Sequence, residues 1–65
     1  GAFQIAQIHA FRGESDAAFV WLERAYRQRD GGLFLTKADP YLKILRPDPR
    51  YGAFLKKMGL SPAAT

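Results

Sequence analysis

The apolar positions of residues 2–12, AFQIAQIHAFR, recur at three- and four-residue steps, with Phe3, Ala6 and Ala10 on one line and Ile5 and Ile8 beside it. This is the helix period, and no Gly or Pro interrupts it, so the spacing predicts a helix over 2–12. Gly13 follows, the residue type that most readily takes the left-handed conformation just past a helix end. Ser15 is placed to cap the next helix, with Asp16 favourable in its first turn. Residues 16–29, DAAFVWLERAYRQR, carry the clearest amphipathic pattern. Ala18, Leu22 and Ala25 form one stripe and Phe19, Leu22 and Tyr26 another, so this helix is expected to touch more than one neighbour. Glu23 and Arg27 stand at i,i+4 in the orientation that favours a surface pair. Asp30-Gly31-Gly32 is the expected stop.

The second half is more broken. LFLTKA, residues 33–38, is compatible with a short helix or with an extended link that turns Leu33, Phe34 and Leu35 inward. Asp39-Pro40 reads as an N-cap followed by proline at the first helical position. About two helical turns are then expected over 40–46, with Tyr41, Leu42, Ile44 and Leu45 available for burial. Pro47 disfavours a helical conformation at Arg46 and ends that element. Asp48-Pro49 repeats the cap-and-proline start, and Tyr51, Phe54, Leu55 and Met58 line one face of a last helix. Gly59 is its expected stop, with Leu60 folding back onto it. SPAAT, residues 61–65, reads as a frayed tail. No strand pattern occurs, so the expected fold class is all-α.

Length and composition narrow the picture. Sixty-five residues allow one domain at most, and its core is thin. The chain has no cysteine, which removes disulfide and thiolate-metal staples. Apolar residues make up 48%, with five Phe, three Tyr and one Trp, which is too hydrophobic for a disordered segment. The formal charge of +4 comes from ten Lys and Arg against six Asp and Glu, and no basic run exceeds two residues. The pattern is that of a solvated basic surface, with Lys56 and Lys57 favourably placed at a helix end. No stretch approaches a membrane span, and the N-terminus lacks the layout of a signal peptide, so a cytoplasmic location without membrane partners is expected.

Candidate chemistry is sparse. His9 is the only histidine and has no Cys, Asp or Glu at ligand spacing, which points to a structural role between helices. Ser15 and Ser61 lie in no nucleophile motif. Glu14 and Asp16 flank a turn and read as solvated capping residues. Trp21 reads as core or as an interface anchor. No catalytic residue, metal site or cofactor is expected.

Two helices that meet at a Gly-centred turn with small residues at the contact resemble a tetratricopeptide repeat, a helix–turn–helix unit of 34 residues. Ile5-Ala6 stands where that family has Leu-Gly, His9 stands at its tyrosine and Gly13 at its turn glycine. Ala18, Leu22 and Ala25 stand at the alanine, aromatic and alanine of the second helix. Ala2 occupies the family's tryptophan position and Asp30 its closing proline. The resemblance covers residues 1–32. Residues 33–60 look like the connecting segment and capping helices that follow the last repeat in many bacterial signalling and regulatory proteins, with Tyr51, Phe54 and Leu55 covering the flank of the Trp21 helix. Repeats bury their faces on one another, and terminal elements are atypical because they cap.

The resemblance implies a non-enzymatic protein–protein interaction or scaffolding module at the end of an array. In the family the first helix lines the concave groove, which by carry-over is Phe3, Gln4, Gln7, Ala10 and Phe11. The Lys and Asn carboxylate clamp of some members has no cation to stand on there, so an apolar helix or extended peptide fits better. Phe3, Ile8 and Phe11 would leave an open edge, which implies self-association through the 2–12 helix. The alternative is a small helix-turn-helix nucleic-acid-binding module over residues 4–27. Its reading helix would open with Ala17, Ala18, Phe19 and Val20, where base recognition needs Arg, Asn, Gln or Ser.

Overall fold

The computed structural model describes residues 1–60, apart from the side chains of Phe34 and Leu35. The expected tail at 61–65, and the inward turn of Phe34 and Leu35, lie outside the described residues and side chains. Three α-helices, α1 (Ala2–Phe11), α2 (Ser15–Arg27) and α3 (Pro49–Lys57), are joined by two 3-10 segments, Gly31–Ala38 and Pro40–Leu45. The all-α class holds, and no strand occurs among the described residues.

Helices α1 and α2 pack on each other through small residues. Ala6, Ala10, Ala18, Leu22 and Ala25 are all without solvent exposure. Alanine at four of these positions, all but Leu22, removes the side-chain bulk that would separate the two backbones. Every α-helix ends in the same double bond to its own last turn. Gly13 N–H reaches the Ala10 carbonyl at 3.0 Å and Glu14 N–H that of His9 at 2.9 Å. Gly59 N–H bonds the Lys56 carbonyl at 3.0 Å and Leu60 N–H that of Leu55 at 2.8 Å, with Leu60 packed back on the core as expected. In α2 the same bonds run from Arg29 to Tyr26 (3.1 Å) and from Asp30 to Ala25 (2.9 Å). Gly13 and Gly59 take φ of 77° and 81°, but the third left-handed position is Arg29 at φ 55°.

Several boundaries differ from expectation. Helix α2 already stops at Arg27, and Asp30-Gly31-Gly32 opens the next element instead of ending this one. Ser15 lies inside α2, whose N-cap is Glu14 without a side-chain cap bond, because that carboxylate is held by His9 and Arg12. Glu23 bonds Lys57 of α3 rather than Arg27.

The largest correction lies in residues 33–46. A 3-10 helix repeats every three residues, not every 3.6. Leu33 and Thr36 therefore share a line in the first segment and Leu42 and Leu45 in the second, with Asp39 in extended backbone (ψ 121°) between them. Thr36, Asp39, Leu42 and Leu45 are buried and Leu33 is half-buried. Tyr41 and Ile44, expected inside, are instead about half exposed. Of the two polar residues among these, Asp39 is anchored through its side chain, whereas the buried Thr36 hydroxyl has no hydrogen-bond partner among the described residues and only the Thr36 backbone is held. Asp39 caps the second segment by accepting from Tyr41 N–H (2.8 Å), and the Thr36 carbonyl receives a long bond from the Tyr51 hydroxyl at 3.5 Å.

The first 3-10 segment crosses α1 at very close range. A Cβ on Gly32 would stand 2.7 Å from the Phe3 ring. The Asp30 carboxylate ties this crossing together, accepting from Gly32 N–H at 2.9 Å and from Phe3 N–H at 3.2 Å. Helix α3 closes the other side, where Asp48 caps through Arg50 N–H (2.9 Å) and Tyr51, Phe54 and Leu55 are buried. The Phe54 ring meets Tyr26 of α2 edge-on at 6.2 Å.

Two predictions follow from the backbone. Gly32→Ala should destabilise by about 1–2 kcal/mol, because Phe3 is buried and has nowhere to move. Gly31→Ala, with open space around it, should be neutral or stabilise by up to about 1 kcal/mol. Thermal melts of both variants check this, and equal midpoints would refute the close crossing. Arg29→Gly should raise the midpoint, since an L-residue in the left-handed region costs about 1–2 kcal/mol, partly offset by glycine's greater unfolded-state entropy. An unchanged or lower midpoint would contradict the strained α2 terminus.

Candidate functional site

Among the described residues, four large apolar side chains remain open on one side of the molecule: Ile8 (58% exposed) and Phe11 (73%) from α1, and Tyr41 (53%) and Ile44 (57%) from the second 3-10 segment. Their elements explain the arrangement. Helix α1 is apolar on more than one face, so covering the Phe3–Ala6–Ala10 line leaves Ile8 and Phe11 outside. In the 3-10 segment, Leu42 and Leu45 take the inward line and leave Tyr41 and Ile44 on the next one. The Phe11 and Tyr41 rings meet edge-on at 6.0 Å, an arrangement favoured by aromatic quadrupoles. On one side of this pair lies an open groove of about 420 Å³, lined by Gln4, Gln7, Ile8, Phe11 and Tyr41. On the other side a second depression shares both rings and adds Ala10, Pro40 and Ile44. The Gln7 amide donates to the Asp39 carboxylate, so α1 and the 3-10 segment are joined under the groove.

The residues expected to line a groove divide. Gln4 is exposed, Gln7 half-buried and Phe11 the most open of the large apolar side chains. Phe3 (2% exposed) and Ala10 (no exposure) belong to the core and are not available to a partner. Phe3 is covered by Gly32, so the open edge expected from Phe3, Ile8 and Phe11 is made by Ile8 and Phe11 together with Tyr41 and Ile44. Of the repeat positions, Ala6, Ala18, Leu22 and Ala25 are buried, Ile5 and His9 are half-buried, and Gly13 makes the left-handed turn. Sequence reasoning missed the roles of Tyr41 and Ile44. The signal that identifies them is the three-residue step from Leu42 to Leu45.

A polar cluster sits at the α1–α2 turn. His9 Nδ1 lies 2.8 Å from Glu14 Oε1, and Arg12 Nε lies 3.1 Å from the same oxygen. The His9 contact, then the Arg12 charge, hold the Glu14 carboxyl below its usual value. Glu14 is thus the carboxylate near His9 that linear spacing did not reveal. The surrounding depression also includes Ser15 and Asp16, yet Ser15 makes no hydrogen bond to His9 that would activate a nucleophile. Among the described residues, no group of three His, Cys, Asp or Glu side chains is placed to hold a metal ion. No helix among them is long and apolar enough to cross a membrane.

The carboxylates are all engaged. Besides Glu14, Asp16 pairs with Arg50 Nη1 at 2.9 Å, and Asp48 pairs with Arg50 Nη2 at 2.8 Å. The Arg50 guanidinium also lies 4.6 Å over the Phe19 ring. Glu23 pairs with Lys57, Asp30 accepts two backbone N–H groups, and Asp39 is held by Gln7 and Tyr41. The cations are not matched in this way. Arg27, Arg29, Lys43, Arg46 and Lys56 have no carboxylate partner among the described residues.

Backbone bonds from Gly32 and then Phe3 hold the Asp30 carboxyl below its usual value. A carboxyl with a lowered folded pKa contributes stability that is complete above the unfolded value near 4 and is lost as pH falls through the folded value. Asp30→Asn should therefore lower the thermal midpoint at neutral pH, and its deficit should shrink as pH falls below about 4. Melts of both proteins across this range measure the effect, and a deficit independent of pH would exclude it.

In comparisons with known proteins, no family model, no curated protein and no solved structure matches this chain.

Proposed function

We propose that this chain is a non-enzymatic protein-interaction or scaffolding module, the terminal part of a tetratricopeptide-like helical array, and that it meets a protein or peptide partner through the Ile8–Phe11–Tyr41–Ile44 face. The observation that carries the reading is the clustering of four exposed large apolar side chains on that face; the other two exposed large hydrophobics among the described residues, Val20 (58%) and Tyr26 (36%), lie on α2. Phe3, Leu22, Leu42, Leu45, Phe54 and Leu55 are at most 3% exposed, whereas the four side chains of the face are all more than half exposed and lie together. Contiguous open apolar surface of this kind marks interaction sites on water-exposed domains. Aromatic anchors beside amides match the composition of the central part of such sites. The buried alanine faces of α1 and α2 agree with the repeat resemblance, and α3 agrees with a cap.

The rival nucleic-acid reading draws little support from the start of α2. Ala18 and Phe19 are buried there, and the Asp16 side chain, 94% exposed, would meet phosphate with its own negative charge. A second copy of the chain remains the competing occupant of the apolar face.

If the face serves a partner and not the fold, Phe11→Ser combined with Ile44→Ser should change stability by only about 0.5 kcal/mol per site, as exposed substitutions do. The same pair should sharply reduce binding of an environment-sensitive apolar dye. Phe54→Ser should cost several kcal/mol by burying a hydroxyl in place of a ring, roughly 3–5 kcal/mol on the scale of large aromatic truncations. Loss of cooperative melting in the Phe11/Ile44 variant would make the face structural and end this proposal.

A further inference from the structure

Building on that reading, we infer that the partner seated on the Ile8–Phe11–Tyr41–Ile44 face is an acidic amphipathic helix. The three-residue repeat gives the second 3-10 segment three distinct sides. Leu42 and Leu45 point inward, Tyr41 and Ile44 form the apolar side, and Lys43 and Arg46 form an exposed basic side next to it. The Arg46 guanidinium reaches the Lys37 carbonyl at 3.3 Å, and neither Lys43 nor Arg46 has a carboxylate partner among the described residues. Arg12, which directly follows Phe11 and whose side chain is 65% exposed, already pairs with Glu14, so the uncompensated positive charge lies on the Lys43–Arg46 side. An apolar strip bordered by cations is complementary to a partner with an apolar strip bordered by carboxylates.

The same charges disfavour a second copy. All six carboxylates of this chain are already engaged in its own caps and ion pairs, as described above. A two-fold contact on this face would therefore bring Lys43 and Arg46 of two copies together with no uncommitted Asp or Glu side chain among the described residues to place between them, on chains that each carry +4. A helix suits the face better than an extended peptide does. No strand edge exists among the described residues to pair with a peptide backbone, so recognition must pass through side chains. Ile8 and Phe11, and Tyr41 and Ile44, are each spaced i,i+3, which matches the ridges of a docked helix. The concave form, with a groove on either side of the Phe11–Tyr41 pair, favours an inserted side chain over a membrane surface, which calls for a protruding apolar tip.

The test uses the whole 65-residue chain and three labelled peptides of about 16 residues, followed by fluorescence anisotropy. One peptide carries Leu and Phe at helical i, i+3, i+4 and i+7 spacing with Glu elsewhere; the second replaces Glu by Lys; the third scrambles the acidic peptide so that its apolar residues share no face. The acidic amphipathic peptide should bind at least about tenfold more tightly than either control, and raising the salt should weaken it. Lys43→Glu with Arg46→Glu should lower that affinity by about tenfold while leaving the melting curve in place, and Phe11→Ser should remove it. Equal binding of the acidic and basic helices would overturn the inference while leaving the interaction surface intact. Failure of all three peptides to bind would overturn both. Concentration-dependent dimerisation that Phe11→Ser abolishes, or tighter binding to vesicles of anionic lipid than to the acidic peptide, would replace the helix by that occupant.

Discussion

Everything in the second half of this small protein depends on the crossing of Gly32 over Phe3. The ring sits so close that a single methyl group on Gly32 would collide with it. Asp30 fastens the crossing from the side by bonding one N–H from each of the two elements. The first turn of α1 and the start of the 3-10 segment both have orphan donors, and one carboxylate satisfies a donor in each. Once this point is fixed, the chain has to run back across α1. Leu42 and Leu45 then pack against α1 as part of the same core as Ala6 and Ala10.

The 3-10 geometry turns that covering layer into a surface with two sides. A 3-10 helix rises about 2.0 Å per residue and repeats after three, so it is long and narrow. In the second segment Leu42 and Leu45 point into the core, while Tyr41, Lys43 and Ile44 are exposed. Leu33 and Thr36 in the first segment and Leu42 and Leu45 in the second serve the fold, which leaves Tyr41 and Ile44 beside Phe11 and leaves Lys43 and Arg46 on the remaining side. Packing and surface chemistry thus come from a single choice of helix type.

Charge is distributed with the same asymmetry. Acidic groups are used at junctions: Asp30, Asp39 and Asp48 cap element starts, Glu14 holds the first turn, and Asp16 and Glu23 reach Arg50 and Lys57 of α3. The side-chain bonds of Arg50 to Asp48, then to Asp16, raise its pKa further above an already high value, and its guanidinium stacks over Phe19. The surplus cations are left on the surface. Exposed pairs of this kind add little stability singly, but they orient α3 against α2 and leave the apolar face bordered by positive charge.

Much of this was legible in the chain itself. Residues 2–12 and 16–29 announced α1 and α2 through their 3.6 period, the Asp-Pro pairs announced two element starts, and Gly13 and Gly59 marked two helix ends. These are local signals, fixed by the backbone preferences of a few adjacent residues. Tertiary structure decided the rest. Two apolar lines on α1 compete for one core, and the packing of Ala6 and Ala10 on α2 together with the crossing of Gly32 over Phe3 selects the Phe3 line and leaves Ile8 and Phe11 open. The Tyr41-Leu42 and Ile44-Leu45 pairs look alike in sequence, because each offers two apolar neighbours to a helix of unknown pitch. The three-residue repeat, set by how the segment lies across α1, buries the leucines and exposes Tyr41 and Ile44. Glu23 had a partner within its own helix at Arg27 and took Lys57 instead, because α3 brings that ammonium within reach and linear spacing cannot show it.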